Sequence, residues 1–162
     1  RPMVDLYDLV VKYYYHPLTD GSNSIKDVLP AVLQASQYLQ DKYSKPIYGS
    51  IGGIKSLNFE NQIWISKNET EIISPYKSLP ELFSGIEFKA IDLITDEDNA
   101  QLRDGGAAMT AYARMQYTEM SGLERNELAT ALLKYCELDT LAMVMIYECW
   151  REELKAFGKL AA

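Results

Sequence analysis

The chain has 162 residues, and its 16 lysines and arginines face 23 aspartates and glutamates, a formal net charge of −7. That length fits a single domain with a sizeable core. A composition of 48% hydrophobic and 24% charged residues excludes low complexity or disorder as a description of the whole. The acidic balance argues against a compact electropositive nucleic-acid binder, and no apolar run approaches the roughly 20 residues of a membrane span, so no membrane partner is expected. Cys136 and Cys149 fall on different faces of one predicted helix, where a disulfide between them is not feasible. The expectation is a reducing, cytoplasmic compartment. The chain opens on Arg1, and residues 1–162 are expected to be one domain, the C-terminal part of a longer protein.

In chain order, Leu6, Leu9, Val10, Tyr13 and Tyr14 recur at helical spacing, with Pro17 as the stop. Asp20 to Ser24 is turn chemistry. Ser24 then caps a second helix with Asp27 in its first turn. Ile25, Val28, Leu29, Val32, Ser36 and Leu39 form the inner stripe of that helix, which is expected to run to about Lys42 with Pro30 as a first-turn kink. The stretch from residue 44 to residue 90 reads mostly as loop, with one short hairpin pairing Gln62–Ser66 with Thr70–Ser74. From Thr95 the chain turns helical again. Thr95 with Asp98 and Ser121 with Glu124 are capping boxes, Asp104 caps a helix over Ala107–Tyr117, and a helical pattern runs from Gly122 to about Phe157. At 1.5 Å per residue that last helix spans about 50 Å, so a bend or overhang is expected. The fold class is mainly α with one small β-hairpin.

Side chains able to do chemistry are few. His16 is the single histidine and precedes a proline turn, which suits a capped surface residue. No CxxC or HxxxH pattern offers a metal site. GSIGGIK lacks the strand-turn-helix context of a phosphate loop. Asp92, Asp96, Glu97 and Asp98 suit a solvated helix start better than a cation site. Lys12 with Tyr13, Tyr14 and Tyr15 could stack bases, although two of these tyrosines fall on the apolar stripe, which favours core packing. Tyr135 and Asp139 lie one helical turn apart among apolar neighbours, and a carboxylate in such surroundings is paired or holds a metal.

YCELDT, within an apolar helix, resembles the third motif of the DEDDy branch of DnaQ-like 3′–5′ exonucleases, in the ribonuclease H-like superfamily. VDLYDLVVKYYYHP, GSNSIKDVLPAVL, PYKSLPELF, DGGAAMTAYARMQY and LLKYCELDTLAMVMIYE resemble, in order, blocks of a bacterial family of unknown function. Members of that family carry a PD-(D/E)XK nuclease-like region upstream. The resemblance implies that the chain is the C-terminal portion of an α/β ribonuclease H-like domain in a metal-dependent nuclease. Asp139 would then be a ligand of Mg²⁺ or Mn²⁺, Tyr135 the group that orients the attacking water, and nucleic acid the partner of the parent protein. The D-x-E motif and the middle aspartate of DEDDy enzymes are missing here, and by this alignment both lie upstream of Arg1. The isolated chain is therefore expected to be inactive, to hold no metal tightly, and to self-associate through exposed apolar surface. The competing expectation is a non-catalytic helical interaction or scaffolding module.

Overall fold

The computed structural model describes residues 3–68, 71–79 and 105–160. The architecture is mainly helical: α1 (Leu6–Tyr13), α2 (Ile25–Ala35), α3 (Gln37–Tyr43), α4 (Gly105–Tyr117) and α5 (Gly122–Leu160), with short 3₁₀ turns at Pro17–Thr19 and Pro75–Ser78. The chain divides into two compact units. One holds the residues up to Ser74 and those from Asp139 onward; the other runs from Pro75 to Leu138.

In the first unit, α1 begins where the Asp5 carboxylate accepts the Tyr7 amide at 2.9 Å, a cap that satisfies one of the helix's free N–H groups. Ser24 caps α2 in the same way through the Lys26 amide. Val28, Leu29, Val32 and Leu33 are fully buried, each contributing about 1.5–3 kcal/mol. Pro30 falls in the second turn of α2 rather than the first, where its missing N–H deletes the bond to the Lys26 carbonyl. The helix expected to continue to Lys42 breaks at Ser36, which adopts φ −98° and ψ 102°. Two local bonds explain the break. The Ser36 hydroxyl accepts the Leu39 amide, starting α3, and the Gln40 side chain donates to the Leu33 and Gln34 carbonyls that α2 leaves open.

The segment after α3 folds around three aromatic rings. Tyr48, Phe59 and Trp64 meet edge to face, with centroids 4.8–6.1 Å apart, a geometry that aligns ring edges with ring faces. The Trp64 indole N–H is buried and finds no hydrogen-bond partner among the described residues. The glycines of GSIGGIK serve this packing. Gly49 has φ +72°, and a Cβ there would stand 1.9 Å from the Phe59 carbonyl oxygen. Around Gln62–Ser74 the described residues show isolated antiparallel bridges only, Gln62 to Tyr48 and Lys67 to Ile72, with the Ile73 amide donating to Ser66, and no extended strands.

Tyr43 ties the unit together. Its carbonyl accepts the Trp64 and Ile65 amides, and its hydroxyl donates to Glu148 of α5 at 3.1 Å. Lys42 donates to both oxygens of the same carboxylate at 2.6 and 2.8 Å. Burial, followed by the Glu148 charge, raises the Tyr43 pKa well above the ordinary tyrosine range. Cys149 is free, and burial pushes its thiol up to about 11, so it stays protonated at neutral pH.

In the second unit the capping box at α5 forms as its sequence predicts. Ser121 N–H donates to Glu124 at 2.7 Å, and Glu124 N–H donates to the Ser121 hydroxyl at 3.2 Å. Arg125 reaches back to the Met115 carbonyl at the end of α4. Ala111, Leu128, Ala131 and Leu138 are buried. The helix α5 runs unbroken for 39 residues, about 58 Å at 1.5 Å per residue, and the boundary between the units falls within it. The expected caps Thr95–Asp98 and Asp104 lie outside the described residues.

Two outcomes follow from these contacts. Glu148→Ala strands the Tyr43 hydroxyl and the Lys42 ammonium, whose side chain and that of Glu148 are 25% and 15% exposed. It is expected to lower stability by about 2–3 kcal/mol in urea unfolding, with Glu148→Gln recovering part of the loss. The Ser121 bonds hold the Glu124 carboxyl below its usual range. The cap's contribution is therefore complete above the unfolded carboxylate pKa and fades as pH falls through the lower folded value. Amide exchange at residues 122–125 should accelerate at acid pH beyond the intrinsic rate, and Glu124→Gln, which keeps the shape but cannot titrate, should remove that pH dependence.

Candidate functional site

Tyr135 and Asp139 both lie on α5, separated by four residues and therefore by about 40° around the helix. Their environments differ. Tyr135 belongs to the second unit and is 5% exposed, with its ring centroid 6.2 Å from that of Tyr76. Asp139 belongs to the first unit and is half-buried. Its neighbours along the helix, Leu138, Leu141 and Ala142, are buried. Among the described residues no three His, Cys, Asp or Glu side chains converge as a metal site would require. A hard dication prefers about six oxygens, and a single aspartate supplies at most two. The described residues on their own do not fit Mg²⁺ or Mn²⁺, and the acidic cluster at Asp92, Asp96, Glu97 and Asp98 lies outside them.

His16 is a cap. Its Nδ1 accepts the Leu18 amide at 3.2 Å and its carbonyl accepts the Thr19 hydroxyl at 2.9 Å, which leaves the other ring nitrogen to carry the proton. The glycines of GSIGGIK cradle no anion, since the Gly49, Gly53 and Ile54 amides donate to carbonyls of the same segment.

The tyrosine triplet departs from the core packing expected of it. Tyr13 is 81% exposed, because α1 ends there and its last turn projects past the buried Val10. Beyond it the backbone is extended at Tyr14 and His16, so successive side chains alternate sides. Tyr14 and His16 stack 6.5 Å apart on one side, and Tyr14 also meets Trp150 of α5 at 5.8 Å. Tyr15 points the other way and is 81% exposed. Burial, followed by the nearby Cys149 and Glu153, raises the Tyr14 hydroxyl to about 12. A cleft of about 370 Å³ opens here, lined by Lys12, the three tyrosines and the turn that includes Ser22 and Asn23. The contribution of that turn was missed in the sequence. The available signal was the Asp20-Gly21 pair, whose left-handed backbone (φ 50° and 79°) turns the chain back toward the tyrosines.

Truncating Tyr135 and neutralising Asp139 should separate structural from chemical roles. Tyr135→Ala empties a buried aromatic site and is expected to cost about 3–5 kcal/mol in thermal or urea unfolding. Asp139→Asn, nearly isosteric and half-exposed, should leave the circular dichroism spectrum and the midpoint close to wild type.

No family model, curated protein or solved structure matches the chain.

Proposed function

We propose that this chain is the C-terminal helical part of a metal-dependent nuclease of the 3′–5′ exonuclease type, and that it is not a catalyst alone. The observation that supports this most directly is the placement of Asp139. It is a half-buried carboxylate flanked along α5 by the buried Leu138, Leu141 and Ala142, one turn beyond Tyr135, in the sequence context YCELDT. In the longer protein Asp139 would serve as one ligand of Mg²⁺ or Mn²⁺, and Tyr135 would be the residue that orients water. The remaining ligands would come from the D-x-E and middle-aspartate motifs that the resemblance locates upstream. A second reading, a non-catalytic helical interaction module that pairs with a second copy of itself, is favoured by one feature: Met143, Tyr147, Leu154 and Phe157 are exposed along α5.

Residues 1–162 alone are expected to give no metal-dependent hydrolysis of single-stranded DNA or RNA and only weak Mg²⁺ binding by calorimetry. In a protein extended upstream, Asp139→Asn should abolish hydrolysis while helicity is retained. Hydrolysis by the isolated chain, or full activity of the extended Asp139→Asn variant, would overturn the assignment. An inactive extended protein that elutes as a dimer by light scattering would favour the second reading.

A further inference from the structure

We infer that the cleft beside α1 is a binding site for a short stretch of single-stranded nucleic acid, with room for about one nucleotide. The argument does not depend on the nuclease reading. It starts from a cost: two large aromatic side chains, Tyr13 and Tyr15, stand 81% exposed at the edge of a concavity, although the same unit buries other tyrosines fully. Exposed aromatic faces beside a cleft are what a base requires, because every base has a π-face and stacking is tolerant of sequence. The polar groups complete the pattern. Lys12 lines the cleft and forms no ion pair among the described residues, so its ammonium is open to a phosphate. Asn23 also lines the cleft, and its amide offers both a donor and an acceptor to a base edge. Ser22 is not part of this recognition. Its hydroxyl donates to Asp27 at 2.6 Å and accepts the Ser24 amide at 3.2 Å, which fixes the turn that carries Asn23.

The walls are pre-formed. Tyr14, between the two exposed tyrosines, is anchored by its contacts with His16 and Trp150. The capped His16 sets the extended backbone that turns Tyr15 outward. A volume of about 370 Å³ is at the lower end of the range of roughly 300–1,000 Å³ for small-ligand sites, which suits one base with its phosphate. The net charge of −7 opposes long-range attraction, so recognition depends on the short-range contacts, and micromolar affinity is expected.

The test is fluorescence anisotropy of residues 1–162 with a labelled oligo(dT) decamer and an oligo(U) decamer, in EDTA so that hydrolysis plays no part. Wild type should bind. Tyr13→Ala and Tyr15→Ala should each weaken binding about tenfold or more, whereas Tyr13→Phe and Tyr15→Phe, which keep the ring, should stay within about twofold. Lys12→Gln should reduce the slope of log affinity against log salt by about 0.7, the value for one phosphate contact to a single strand. Both tyrosine positions changed in these four variants are exposed, and circular dichroism should confirm an unchanged fold. No binding by wild type, equal binding by the alanine variants, or loss on Tyr→Phe as severe as on Tyr→Ala would overturn the site. So would a neutral hexasaccharide that binds with the same tyrosine dependence while the oligonucleotides do not. Ring-dependent oligonucleotide binding beside an inactive extended protein would uphold this site and remove the nuclease reading; Asp139-dependent hydrolysis without ring-dependent binding would do the reverse.

Discussion

A buried hydroxyl has to find a partner, and in the first unit the Tyr43 hydroxyl determines much of what surrounds it. The side chain is 1% exposed, so leaving its O–H unpaired would forfeit more than a typical hydrogen bond gains. Glu148 supplies the acceptor, and that places a carboxylate in a partly desolvated position which Lys42 then neutralises. Lys42 also lies 4.9 Å from the centre of the Tyr43 ring, within the range of a favourable cation–ring contact. On the backbone side, the Tyr43 carbonyl receives both Trp64 and Ile65. One residue at the end of α3 thereby positions the aromatic loop segment and the later half of α5.

The pattern of α5 explains why its two candidate residues differ. Leu128, Ala131, Tyr135, Leu138, Ala142, Met145 and Cys149 are buried at alternating steps of three and four, the spacing of a single apolar stripe along a helix. Tyr135 is a member of that stripe. Asp139 is displaced to its edge, where a carboxylate keeps part of its hydration.

What could be read in the sequence was local. The Ser24 cap and the Ser121–Glu124 box join residues two or three apart, and both occur as their residue types require. The break at Ser36 was hidden because Val32, Ser36 and Leu39 keep helical spacing through it. Competition came from a serine hydroxyl and a glutamine side chain seven residues away from the carbonyl it reaches. The cluster of Tyr48, Phe59 and Trp64 depends on loop closure, which periodicity does not encode. Likewise, the glycines of GSIGGIK read only as loop because their sequence does not reveal that a Phe59 carbonyl would occupy the space of a side chain at Gly49. Of the candidate site, the spacing of Tyr135 and Asp139 was legible, but the burial of one and the partial exposure of the other were not. The outward turn of Tyr13 depends on where α1 stops, a boundary that the stripe alone places too late.

Both tryptophans of the chain, Trp64 and Trp150, fall in the same unit. Trp64 is enclosed by Tyr48 and Phe59 with its N–H unpaired among the described residues, an environment that shifts indole emission to the blue, whereas Trp150 is only partly covered. Intrinsic tryptophan fluorescence is therefore a reporter of that unit alone and has no tryptophan to follow between Pro75 and Leu138. Helical dichroism, by contrast, sums over both. Superimposable denaturation curves from the two probes would mean that the long shared helix makes the chain unfold as one cooperative body, and separated curves would mean that it lets each half melt on its own.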